Sequence, residues 1–237
     1  KRGRDEQRNR DGDAMNRSIQ ESMDAYNAAP GLRATSLSRL LESPRSYKYW
    51  VIDGHKMELT PALRFGQIAH TAILERQHFE KRFVVQPKFS GEGMRKAKQD
   101  WLGTLALDAL VLTEDEAETL VGMIRSIEEY EPALTMLKRG IPEHSLYWTD
   151  EATGLEFKAR PDYITEDGWV VNLKTARDAT MRKFENSIVE YGYHVQVSMY
   201  LAGYKAVFGK EPKGYVFLPV EKTPPYECAV YVADETI

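Results

Sequence analysis

Between residues 34 and 140 the apolar positions recur mostly at helical spacing; beyond residue 143 they alternate or run together as strands do. In ATSLSRLLESP (34–44), Leu37, Leu40 and Leu41 share a face, Thr35 or Ser36 can cap the start, and Pro44 closes the helix. TPALRFGQIAHTAILERQHFEKRF (60–83) reads as one helix after Pro61, with Phe65, Ile68, Ala69, Ala72 and Ile73 facing inward. QPKFSGEGMRKAKQDW (86–101) reads as a basic, glycine-containing loop with Lys88, Arg95, Lys96 and Lys98. LTEDEAETLVGMIRSIEEY (112–130) places Thr113 and Glu116 at capping-box spacing, then Leu120, Met123, Ile124 and Ile127 at helical period. Pro132 separates it from a short helix ending at Gly140.

The period then changes. EHSLYWTD (143–150), LEFKARPDYI (155–164) and GWVVNLKTA (168–176) read as three strands, with turns at Thr153-Gly154 and Asp167-Gly168. Residues 182–209 read as one or two helices, and GYVFLPVE (214–221) and YECAVYVAD (226–234) as two more strands. Helices, a β-meander, a helix and further strands make an α+β chain with a central mixed β-sheet flanked by helices. The opening KRGRDEQRNRDGDA has one apolar side chain, Ala14, and cannot bury enough to fold alone. Residues 1–20 are therefore expected to be a charged tail or linker, leading into a helix through MNRSIQESMDAYNAA, and 21–237 one domain. A start on Lys1 rather than Met suggests a piece of a longer or processed protein.

Composition adds a few bounds. With 42% hydrophobic residues over 237 positions the chain can bury a substantial core. A net charge of −4 excludes the uniformly basic class of nucleic-acid coat protein but leaves room for a local basic groove. A single cysteine, Cys228, excludes an intramolecular disulfide framework and a cysteine-based zinc site, and reads as a buried strand residue. No run of 18 apolar residues and no signal peptide are visible, so a cytoplasmic protein with no membrane partner is expected.

The candidate chemistry lies in RPDYITEDGWVVNLKTA (160–176). Asp162 is followed ten positions later by Asn172, and Lys174 comes two after that. Two acids on neighbouring strands can hold Mg²⁺ (or Mn²⁺), which favours hard oxygen ligands and assists phosphodiester hydrolysis. Lys174 shares a strand face with position 172 and can orient water or stabilise charge on a phosphate. Leu173 points the other way, with its carbonyl near the metal. Read alone, Arg-Pro-Asp is equally a turn and Val-Asn-Leu-Lys an ordinary strand.

Further blocks add to this. GLRATSLSRLLESPRSYKYW, TPALRFGQIAHTAILE, SLYWTDEATGLEFKARPDYI, VVNLKTA and YGYHVQVSMYLAGY resemble, in order, the blocks of PD-(D/E)xK exonucleases of the exodeoxyribonuclease VIII (RecE) type, over about residues 24–232. The resemblance implies a restriction-endonuclease-like α/β/α core. It implies magnesium-dependent degradation of linear double-stranded DNA from 5′ ends, often by a ring-shaped oligomer paired with a single-strand annealing protein in phage recombination. It also implies roles: Gly66 and His70 from one block, with His70 a metal ligand; Asp162 as central ligand; position 172 and Lys174 from the (D/E)xK block; Gln196 and Tyr200, one helical turn apart, facing the site; and Glu143 as an auxiliary acid. Without it, His70 would read as a structural histidine and Gln196 and Tyr200 as helix surface or partial core. Arg95, Lys96, Lys98, Arg160 and Lys183, with Lys174, form a candidate phosphate-binding stripe.

The departure is Asn172, where the pattern has Asp or Glu. An amide oxygen can touch a hard cation but brings no charge, so an impaired centre is expected. Because the other motif residues are intact, an engineered Asp→Asn change is the expected origin; the alternative is a natural non-catalytic module that binds DNA ends. A nuclease acting on RNA or on single strands is a third reading, since fold does not fix substrate.

Overall fold

The computed structural model describes residues 16–234. Its elements in chain order are β1 (Arg17–Gln20), α1 (Met23–Ala28), α2 (Ala34–Glu42), α3 (Pro44–Tyr47), α4 (Pro61–Leu74), α5 (Arg76–Arg82), β2 (Phe83–Val85), α6 (Met94–Leu102), β3 (Leu110–Leu112), α7 (Glu114–Glu129), α8 (Glu131–Leu137), β4 (Gly140–Pro142), β5 (His144–Thr149), β6 (Glu156–Ala159), β7 (Tyr163–Thr165), β8 (Trp169–Ala176), α9 (Met181–Glu190), α10 (Tyr193–Phe208), β9 (Gly214–Glu221) and β10 (Tyr231–Ala233).

The central sheet runs β10-β9-β8-β7-β4 and is mixed: β8 and β9 are parallel, with Asn172 opposite Phe217, and the other neighbours are antiparallel. Both its faces are covered, which is why β8 and β9 read as near-continuous apolar runs rather than alternating ones. On one face Val171, Leu173, Val216, Leu218 and Val220 pack with Phe65, Ile68, Ala69 and Ala72 of α4 and Leu120, Met123 and Ile127 of α7. On the other, Val170, Tyr215 and Phe217 meet Phe184 and Ile188 of α9 and Val197, Tyr200 and Tyr204 of α10. This is the expected α+β class with helices on both sides of a mixed sheet. The capping box is present, with the Thr113 and Glu116 side chains each bonded to the other's backbone N–H.

A second sheet runs β1-β5-β6, and the chain passes between the two sheets at adjacent points. From β4 to β5 it crosses at Glu143; from β6 to β7 it crosses at Arg160-Pro161-Asp162. The single strand expected over 155–164 is thus two strands in different sheets. Pro161 has no N–H to give a ladder and pushes Arg160 toward extended backbone, so pairing stops there. The two crossings are tied together: the Glu143 N–H donates to the Asp162 carbonyl at 2.9 Å.

Other expectations meet corrections. Residues 1–15, most of the expected charged tail, lie outside the described residues; within 16–20, Arg17–Gln20 is a strand, paired antiparallel with β5 rather than running into a helix. The helix expected over 60–83 breaks at Glu75, whose backbone leaves the helical region. The basic stretch 86–101 is a loop only in part, since α6 begins at Met94. α2 starts at Ala34 with no side-chain cap, and Leu40 and Leu41 of its expected apolar face are exposed. Cys228 is half-buried in an isolated bridge to Val220, outside β10. The 182–209 segment is two helices because Gly192, at φ 64°, turns the chain in a conformation few other residues adopt cheaply. Among the described residues no helix is long and apolar enough to cross a membrane.

Candidate metal centre

The two inter-sheet crossings bring their acids to one place, and α4 adds an imidazole. Ligand atoms of His70, Glu143 and Asp162 all lie within 4.8 Å of one another. His70 Nδ1 stands 3.6 Å from Asp162 Oδ2. The approach of α4 to β8 uses Gly66, one turn before His70: a Cβ there would lie 3.5 Å from the Thr175 hydroxyl. Two carboxylates and an imidazole suit a divalent cation, and the hard oxygens favour magnesium or manganese.

Leu173 meets the centre through its backbone. Its N–H donates to Asp162 Oδ2 at 2.8 Å. Its side chain is in the core, on the face opposite Asn172 and Lys174.

Burial sets the charge state. It pushes the Asp162 carboxyl up to about 6, against the pull of Lys174 and the Leu173 N–H. Burial and repulsion from Asp162 push Glu143 up to about 7, against its bond to Arg160. Burial pushes His70 down to about 4, although Glu143 opposes this, so the ring is neutral at neutral pH and one of its nitrogens has a free lone pair for a metal. A cation must therefore displace protons from the carboxyls but not from the imidazole. The sign follows: as pH falls from 8 to 6, protons hold the carboxyls and metal binding weakens, by roughly tenfold or more since one pKa unit is a factor of ten. Calorimetric Mn²⁺ titrations at both pH values check this; equal affinities would contradict it.

Lys174 flanks these ligands. Burial pulls its ammonium down from the usual lysine range, with Asp162 opposing. Its Nζ donates to Gln196 Oε1 at 3.1 Å and lies 4.4 Å from the centre of the Tyr193 ring. Gln196 Nε2 donates in turn to the Tyr200 hydroxyl at 3.0 Å. The expected Gln196 and Tyr200 are therefore brought in, as a relay behind Lys174. Tyr193 was not foreseen; it stands three positions before Gln196, so helical spacing alone could have placed it on the same face.

Asn172 has no solvent exposure, and neither its Oδ1 nor its Nδ2 has a hydrogen-bond partner among the described residues. A buried polar group left unpaired costs about 1–3 kcal/mol. The protein surrounds position 172 with nothing that answers an amide. A carboxylate sharing a cation with Asp162 would have its partner in that cation.

The expected phosphate stripe divides. Arg95, Lys96 and Lys98 are exposed on α6, and Lys183 on α9. Arg160 is not a surface cation: its side chain is 9% exposed and ion-paired to Glu143 at 2.9 Å, so its assignment as a DNA contact is corrected. Pro161 and the sheet crossing turn it inward.

A family model described as "PDDEXK-like domain of unknown function (DUF3799)" matches residues 34–237. Among solved structures, a protein of Eubacterium rectale described as a candidate exonuclease superposes with a TM-score of 0.62 at 14% identity, covering 92% of this chain and 79% of that one. At that identity the likeness speaks to the fold. No curated protein matches the sequence.

Proposed function

The chain belongs to the PDDEXK-like domain family of unknown function (DUF3799), and from that premise we propose that it is built as a divalent-metal-dependent nuclease, impaired as it stands by Asn172. The observation that carries the reading is the convergence of His70, Glu143 and Asp162, with Lys174 beside them and an unanswered amide at 172. His70, Glu143, Asp162 and an acid at 172 would hold Mg²⁺ or Mn²⁺, with the Leu173 carbonyl as a further donor suggested by the resemblance. Bound there, the ion would polarise a phosphoryl oxygen and acidify water.

The protein's own contribution is charge and placement. Lys174 presents an ammonium, anchored by Gln196 and Tyr200, where negative charge grows as water adds to phosphorus and the P–O bond breaks. Glu143 and Asp162 would hold the ion and so fix where it could meet a phosphate. Asn172 lowers the negative charge of the pocket. The two carboxylates face Arg160 and Lys174, a balance that gives a cation little net attraction.

The substrate in this reading is linear double-stranded DNA entered at an end, degraded 5′ to 3′. That substrate, the RecE-type assignment within the family, a homo-oligomeric ring, a single-strand annealing partner, a role in phage recombination and a cytoplasmic setting all rest on the sequence resemblance. Arg95, Lys96, Lys98 and Lys183 are the cations left to track phosphates.

Phosphate contacts spread over many residues dominate such binding, and Asn172 leaves them in place. The protein as it stands is therefore expected to bind linear duplex DNA without cutting it. Affinity should fall by roughly 100-fold between about 50 and about 200 mM salt, the response of a surface whose cations contact about four phosphates. A fluorescence-anisotropy titration at both salt concentrations measures this; no binding at the lower one would remove DNA as the substrate.

A further inference from the structure

Arg160 is the buried cation nearest the centre that the mechanism above does not use. Each part of its guanidinium has an acceptor: Nε donates to Glu143 Oε2 at 2.9 Å, Nη1 to Ser145 Oγ at 2.9 Å, and Nη2 to the Glu21 carbonyl at 3.0 Å. A planar fork held on three sides has one orientation. We propose that Arg160 is a positioning residue that aims Glu143 at the metal, and that the segment upstream of the family match is a working part of the centre because it holds Arg160. The inference rests on the metal-dependent reading above.

Glu143 needs such a device. Its backbone is left-handed, at φ 49°, a conformation unfavourable for an L residue. It sits at a crossing between sheets, where no ladder fixes its side chain. Arg160 takes one carboxylate oxygen, Oε2, in a charge-assisted bond. Among the described residues Oε1 accepts no hydrogen bond, which leaves it as the oxygen offered to a cation.

The Glu21 carbonyl is itself pinned. β1 pairs with β5 just before it. The Tyr147 hydroxyl donates to Glu21 Oε1 at 2.5 Å. Beyond it, the buried Lys158 ammonium closes the end of α1, donating to the carbonyls of Tyr26 at 2.8 Å and Ala29 at 2.5 Å. Strand, hydroxyl and ammonium hold residues 17–29 against β5 and β6, all upstream of residue 34, where the family match begins.

Charge and position make opposite predictions here. If Arg160 only neutralises, removing its positive charge should tighten binding of a divalent cation. If it positions Glu143, removing it should weaken binding despite the lost repulsion.

The test is Mn²⁺ calorimetry on the full chain in the Asn172→Asp background, with thermal melts to confirm folding. Arg160→Met is expected to weaken Mn²⁺ binding by about 10–100-fold, the range seen when a group orienting a ligand is lost. Arg160→Lys keeps the charge but not the fork, and should recover part of the loss. Ser145→Ala removes one tether while leaving every charge, and should weaken binding a few-fold. Unchanged or tighter Mn²⁺ binding by folded Arg160→Met overturns the proposal. If that variant does not fold, Ser145→Ala decides, and an unaltered affinity there overturns it. No Mn²⁺ binding by the Asn172→Asp protein with Arg160 intact overturns the metal reading itself, a separate failure.

Discussion

An aspartate at position 172 is expected to switch on magnesium-dependent hydrolysis of linear duplex DNA, with turnover rising by at least about 100-fold over Asn172. Losing a group that merely orients a ligand typically costs 10–100-fold, and an acid bound directly to the ion should matter more. The buried amide at 172 has no partner for either of its polar atoms, whereas a carboxylate there would complete a set already containing His70, Glu143 and Asp162. Stability should report the same event. Without metal, a second buried carboxylate beside Asp162 adds repulsion and lowers the melting temperature. With metal, the aspartate protein should gain more than the asparagine protein, because a ligand that binds only the folded state stabilises it in proportion to its occupancy. Equal metal-induced shifts in the two proteins would show that position 172 does not reach the ion.

Replacing Lys174 in that aspartate background is expected to lower turnover by about 10²–10³-fold while duplex affinity changes little. Removing one preorganised group that stabilises transition-state charge has effects of this size. Lys174 is poorly suited to be a simple phosphate anchor, because its ammonium is half-buried and already engaged by Gln196 and the Tyr193 ring. Single-turnover cleavage and anisotropy on Lys174→Met separate the roles. A matched loss in rate and affinity would make it an anchor instead.

Much of the architecture was legible because its signals are local. The capping box at Thr113 and Glu116, the inward face of α4 and the Asp167-Gly168 turn each depend on a few consecutive residues, and each is found where the pattern placed it. Asn172 and Lys174 share a face because strand side chains alternate. What the pattern could not carry is which sheet a strand joins. LEFKARPDYI reads as one strand, and only the pairing of β6 with β5 and of β7 with β8 reveals that the chain changes sheets at Pro161. The same blindness misjudged Arg160: a cation beside a motif reads as a surface charge until its inward neighbours, Glu143, Ser145 and the Glu21 carbonyl, are known. All three lie 15 or more residues from it in sequence, one of them acts through backbone, and no composition or periodicity signals them. The strand at Arg17–Gln20 was hidden for a related reason. It follows a highly charged stretch, and its pairing with β5 spans more than a hundred residues of chain.

With an acid at position 172 this centre is expected to cut DNA from ends with a divalent metal. The most direct test gives the Asn172→Asp protein equal masses of one plasmid in linear and covalently closed circular form, with magnesium and with chelator. The expected result is progressive loss of the linear duplex with magnesium, none with chelator, and an intact circle under both. A folded Asn172→Asp protein that leaves the linear duplex whole with magnesium and with manganese would contradict it, and would leave a module that holds DNA ends without cutting them.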